Sequence, residues 1–216
     1  MQAFLFDMNG TMINDMHFHE QAWQHILNHE LNMPFTMEQV KAQMYGKNEE
    51  LFERVFGKGV FSDEQVAALS IYKEQRYQQE FLPHLKLIDG LHRFLATAHC
   101  KAIKMAIGTA ASPFNVNYVL DHIPVRQYFD AIITADDVAV SKPHPDVFIK
   151  CADALEVPYE SCIVFEDSPK GVEAAQNAGM KAVVIKTYHC EDEFAHLQNI
   201  LLFVDDFTDP RLSELF

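Results

Sequence analysis

The sequence predicts an α/β protein in which a doubly wound parallel sheet is interrupted, after its first strand, by a block of helices. Three observations support this. From residue 88 onward, short apolar runs alternate with polar turns and helix-period segments, the pattern of a parallel sheet covered by helices. Residues 15–87 instead carry apolar residues at helical spacing and no strand signal. At 216 residues the chain is also long for one ordinary domain and short for two. The economical division is a core of 1–14 with 88–216 and an insertion over 15–87.

The elements follow in order. The apolar run 3–6 stops at Asp7 and is read as a buried strand. In the insertion, Trp23, Ile26, Leu27 and Leu31 recur at helical spacing, as do Leu51, Phe52, Val55 and Phe56, and then Val66, Leu69 and Tyr72. Trp23 and Phe18 are read as core of that helical block. Beyond it, strands are expected over 103–108, 130–134, 162–165, 181–185 and 201–204. Helices are expected over 90–98, 115–121, 145–155 and 171–178, the last ended by Gly179.

Composition narrows the function. Apolar residues make up 49% of the chain, enough for a substantial core, and 31 acidic against 17 basic side chains give a net charge of -14. With the basic residues scattered, that charge repels phosphate backbones and anionic lipid, so nucleic-acid and membrane partners are not expected. No run approaches the ~20 apolar residues of a membrane span, and the first one is too short for a secretion signal. Cys100, Cys151, Cys162 and Cys190 show neither C-x-x-C spacing nor the density of a disulfide scaffold, and are expected to be reduced, buried thiols. A soluble, cytoplasmic protein is the expectation.

In an open parallel sheet, ligands bind beyond the carboxyl ends of the strands. Those ends carry Asp7-Met8-Asn9-Gly10-Thr11, Gly108-Thr109-Ala110-Ala111-Ser112, Ser141-Lys142-Pro143 and Glu166-Asp167-Ser168. Each alone reads as a turn, a helix cap or a solvated loop. Together, in this order, they resemble the four motifs of the haloacid dehalogenase superfamily of phosphoryl-transfer enzymes, and most closely its β-phosphoglucomutase-like subgroup. The resemblance spans essentially the whole chain. It implies a Rossmann-like core with a small α-helical cap domain, acting on a small phosphorylated metabolite such as a sugar phosphate; a monomer is expected.

The chemistry fits that resemblance. An aspartate carboxylate can attack phosphorus and split one difficult displacement into two easier ones, and Asp7 is the candidate nucleophile. Its approach to an anionic phosphate requires neutralisation, for which a hard cation such as Mg²⁺ is suited. By resemblance the metal ligands are Asp7, the backbone carbonyl of Asn9 and Asp167, with Glu166 as an outer or alternative ligand. The hydroxyl of Thr109 and the neighbouring backbone amide of Ala110 correspond to the phosphoryl grip, and Lys142 to the cation that offsets the crowded charge.

Asn9 departs from the family. Residues two apart in an extended segment point to one side, so the side chain at 9 should face the same phosphoryl group as Asp7. The family usually has an aspartate there as general acid and base, and an amide can be neither. Slow turnover with substrate and metal binding retained is expected, whether the asparagine is an engineered replacement or belongs to a naturally impaired homologue. In the cap, His19 and Lys73 match residues of the subgroup that orient the acid–base group and contact the substrate. In YGKNEELF, Glu49 stands where the mutases carry an arginine that clamps the distal phosphate, and Lys47 is left to compensate. That favours a phosphatase over a mutase, with a non-catalytic phosphometabolite-binding homologue as the other alternative.

Overall fold

The computed structural model describes residues 3–216. In chain order the elements are β1 (Ala3–Phe6), α1 (Met16–His25), α2 (Met37–Lys41), α3 (Asn48–Phe56), α4 (Asp63–Phe81), α5 (Leu91–Cys100), β2 (Lys104–Gly108), α6 (Pro113–His122), β3 (Ala131–Ile133), α7 (Asp146–Leu155), β4 (Cys162–Glu166), α8 (Pro169–Asn177), β5 (Lys181–Ile185) and β6 (Ile200–Val204). They fall into two compact units, residues up to Asn14 with Lys86–Phe216, and Asp15–Leu85.

The first unit is built on a six-stranded parallel sheet of order β3-β2-β1-β4-β5-β6. Strand alternation sorts its first strand between two faces. Ala3 and Leu5 join Phe148, Cys151, Val164 and Val184 in one core. On the other face Phe6 stacks on Phe165 with ring centroids 4.8 Å apart, and Phe94 packs edge-on against Phe165 at 5.2 Å. The expected strand over 130–134 is shorter because the Thr134 N–H donates to the Asp137 carboxylate instead of continuing the ladder. β4 runs one residue further than expected and ends on Glu166. α8 starts two residues early, with the Ser168 hydroxyl accepting from the Gly171 N–H at 3.1 Å as its cap.

The cysteine expectation needs correction. Cys151 and Cys162 are buried, but Cys100 and Cys190 are exposed. Cys100 ends α5 two residues past Ala98, where the helix has turned its apolar stripe away.

The second unit is helical, around Trp23, Ile26, Leu27, Val40, Leu51 and Phe52, with Val66 and Leu69 packed against them. α1 continues into a π turn over Ile26–Glu30. Phe18 is half-buried between the rings of Phe81 and His84. Tyr72 departs from the apolar stripe expected of it and is exposed. The inward face of α4 runs instead through Val66, Leu69, Lys73 and Tyr77, at i+3 and i+4 steps, so a lysine occupies a core position. Among the described residues no helix is long and apolar enough to cross a membrane.

Candidate active site

The sheet reverses its winding at β1, which lies between β2 and β4, and that switch point is where an open α/β sheet leaves a crevice. Phe6 pairs with Phe165, and the Asp7 N–H donates to the Phe165 carbonyl at 3.0 Å, so the ladder delivers Asp7 beside the end of β4. Ligand oxygens of Asp7, Glu166 and Asp167 lie within 4.8 Å of one another, and all three residues are buried. Gly10, at φ +79°, makes this approach possible, because a Cβ there would sit 2.1 Å from Asp167 Oδ2.

Lys142 completes the cluster. Its ammonium donates to Asp7 Oδ1 at 2.6 Å and to Glu166 Oε1 at 2.8 Å, and lies 4.8 Å from the centre of the Phe148 ring. Its loop contains a cis Lys142–Pro143 bond and is tied to α8 by the Asn177 side chain, which donates to the Pro143 carbonyl at 3.0 Å. Burial works against the Lys142 ammonium, but the Asp7 and Glu166 carboxylates outweigh it and hold its pKa above the ordinary lysine value. Asp167 is shifted well above the ordinary carboxylate range by burial and by the charges of Glu166 and Asp7, with Lys142 opposing.

Three buried carboxylates therefore face one ammonium. Buried charge is costly unless compensated, and the excess here is negative. An all-oxygen donor set with that excess fits a hard divalent cation.

The structure brings Asp7, Lys142, Glu166 and Asp167 into one cluster. Thr109 and Ala110 follow β2, the strand beside β1; the Thr109 hydroxyl is buried and accepts from the Ala111 N–H at 3.1 Å. Asn9 is half-buried in the turn after β1, where the Gly10 N–H donates to the Ile13 carbonyl. In the helical unit, Lys73 Nζ lies 2.7 Å from His19 Nδ1 and 3.1 Å from each oxygen of Glu74. Lys47 precedes α3, its N–H donating to Glu50.

Several partners escaped the sequence reading. Asn48 donates to Glu74 at 2.8 Å, the Tyr77 hydroxyl donates to Asp15 at 2.5 Å, and the His19 ring stacks on Tyr77 with centroids 3.7 Å apart. His19 Nε2 is 3.3 Å from Asp15 Oδ2, an i,i+4 pair that helical spacing could have flagged. Glu74 gave no such signal, because neighbours on a helix do not ordinarily face one another.

A parallel sheet with a strand-end aspartate, a lysine bridging two carboxylates and a helical insertion after the first strand defines a class of phosphoryl-transfer scaffold. Residues 4–185 match the model of the haloacid dehalogenase-like hydrolase family, and the chain belongs to that family. Within it, the chain is of the β-phosphoglucomutase/CbbY-like subgroup. It is 30% identical to fructose-1-phosphate phosphatase YqaB of Escherichia coli, over 85% of this chain and 96% of that protein. It is likewise 30% identical to β-phosphoglucomutase of Bacillus subtilis, over 85% and 82% of the two chains. Among solved structures, CbbY of Rhodobacter sphaeroides, an aspartate-to-asparagine mutant in complex with xylulose 1,5-bisphosphate, superposes with a TM-score of 0.82 at 27% identity, covering 96% of this chain and 95% of that one.

Proposed function

We propose that the chain is a Mg²⁺-dependent phosphatase of small phosphorylated metabolites, sugar phosphates foremost, working through a phosphorylated Asp7. The observation that carries this is the buried cluster in which Lys142 bridges Asp7 and Glu166 beside Asp167, with negative charge in excess. A carboxylate oxygen of Asp7 attacks phosphorus, the ester P–O bond breaks, and an acyl phosphate forms. Water then attacks phosphorus, the acyl P–O bond breaks, and inorganic phosphate leaves with the Asp7 carboxylate restored. Lys142 fixes the carboxylate through Oδ1 and offsets the incoming charge, while the Thr109 hydroxyl and the Ala110 N–H donate to phosphoryl oxygens. When bound, Mg²⁺ held by Asp7, the Asn9 carbonyl and Asp167 neutralises the charge between carboxylate and phosphate. We assign substrate selection to His19, Lys47 and Lys73.

Asn9 sets the rate in this reading. Its amide neither gives nor takes a proton, so the leaving oxygen must be protonated by water, and turnover is slow while ligand binding persists. The sugar bisphosphate bound by the asparagine mutant of CbbY supports this. Phosphatase action is preferred to mutase action because Glu49 stands where the mutases carry the arginine that clamps the distal phosphate, with Lys47 left to compensate.

The test is phosphate release from a panel of sugar and nucleotide phosphates, with and without Mg²⁺, by the chain and by Asn9→Asp. A Mg²⁺-dependent gain of roughly 10²–10⁴-fold in Asn9→Asp is expected. Binding without release in both proteins would instead establish the second reading, a phosphometabolite-binding homologue, which Asn9 itself motivates.

A further inference from the structure

We infer that Glu166 and Gly171 are positioning residues of this site: Glu166 seats Lys142 against Asp7 rather than ligating the metal, and Gly171 leaves the space its carboxylate needs. The inference rests on the reading of Asp7, Lys142 and Asp167 as the phosphoryl-transfer centre and divides the labour within it.

Glu166 is the last residue of β4, and a strand sends successive side chains to opposite faces, so Glu166 and Asp167 cannot both project alike from regular backbone. The Glu166 side chain folds back over the first turn of α8. There Oε2 accepts from the Asp167 N–H at 2.8 Å, the Ser168 N–H at 2.8 Å and the Ser168 hydroxyl at 3.0 Å. That exhausts the lone pairs of one oxygen. The other, Oε1, accepts from Lys142 at 2.8 Å, so a metal ion on the same atom would stand against an ammonium. Glu166 is 1% exposed and spends its carboxylate on the protein.

Gly171 is the reason the side chain fits. A Cβ at 171 would lie 1.7 Å from Glu166 Oε1 and 1.9 Å from Cδ, a buried overlap that only displacement of the carboxylate could relieve. The far end of α8 acts on the same loop, since Asn177 holds the Pro143 carbonyl at 3.0 Å. One helix thus grips the Lys142 loop at both ends, through Glu166 above Gly171 and through Asn177.

The test is a double-mutant cycle read by calorimetry, with inorganic phosphate in the presence of Mg²⁺ as the probe and Mg²⁺ alone as the second probe. Gly171→Ala is expected to weaken phosphate about tenfold and Lys142→Ala about a hundredfold, and the combination should be no weaker than Lys142→Ala alone, because both act through one ammonium. Glu166→Gln should keep Mg²⁺ affinity within about tenfold, while Asp167→Asn loses more than about a hundredfold. If Gly171→Ala does not fold, Glu166→Gln takes its place in the cycle. Additive losses of phosphate affinity, or a Mg²⁺ loss in Glu166→Gln equal to that of Asp167→Asn, would overturn the inference. These are binding measurements, so a protein that shows this pattern yet releases no phosphate keeps the positioning role and loses the phosphatase. Binding of neither probe by the unaltered protein would overturn both.

Discussion

The molecule contains two buried charge clusters that are built from similar residues and balanced in opposite ways. In the sheet unit, Asp7, Glu166 and Asp167 share the single ammonium of Lys142. In the helical unit, Lys73 faces Glu74 and His19, Asn48 supports Glu74, and Asp15 accepts from Tyr77. The second cluster gives its ammonium an adjacent carboxylate. Lys73 has both Glu74 oxygens and the His19 ring within hydrogen-bond distance, which is what makes its burial at 2% exposure tolerable. In the first cluster the charges fail to cancel and Asp167 resists ionisation. There negative charge is left over for a cation to answer, whereas in the second the ammonium already has a carboxylate beside it.

This contrast can be broken or sharpened by substitution. The largest effect is expected from Asp7→Asn in the Asn9→Asp background, where phosphate release should fall on the order of 10⁴–10⁶-fold, as when a nucleophile is removed from other hydrolases. Retained release would transfer the nucleophile's role elsewhere. Next in size is Glu74→Ala, which strands the Lys73 ammonium in the helical core and should cost about 3–5 kcal/mol in urea unfolding. The double replacement Lys73→Met with Glu74→Leu should recover most of that loss.

The sheet unit should answer the same kind of change with the opposite sign. Asp167→Asn removes excess negative charge and is expected to raise stability on the order of 1 kcal/mol in chelator-treated protein, the trade of activity for stability seen at strained sites. A loss of stability there would mean that the two clusters are alike after all. The smallest effect concerns pH. Burial pulls the Lys73 ammonium below the ordinary lysine value, against Glu74 and Asp15. In the alkaline window between that lowered pKa and the ordinary one, the unfolded chain holds a proton the folded chain has released, so stability contributed by this group rises with pH. A slope of a fraction of a kcal/mol per pH unit, under the one-proton ceiling of about 1.4, should be present in the unaltered protein and absent from Lys73→Met.

Much of this was legible in the sequence, for reasons that particular residues make clear. Ala3–Phe6 and Lys181–Ile185 are strands because apolar runs of that length have few other uses, and the break after the first leaves Asp7 at its end. Asp7, Thr109 and Asp167 directly follow β1, β2 and β4, where a parallel sheet gathers its strand ends on one edge, whereas Lys142 stands on the loop between β3 and α7 rather than at the strand end expected of it. Tyr72 misled for a physical reason as well: helical periodicity locates a stripe, but a core position can be filled by a lysine once Glu74 and the distant His19 meet its ammonium.

What the sequence determined by itself was local: which segments extend, which coil, and which side chains stand at the ends of strands. Tertiary structure alone decided how charge is shared among them, because the bonds that do so join residues that no periodicity relates. Lys142 meets Asp7 across 135 positions of chain, and Lys73 meets His19 across 54. Whether a buried carboxylate awaits a ligand or is already spent depends on the distances to its neighbours, and those exist only once the chain has folded.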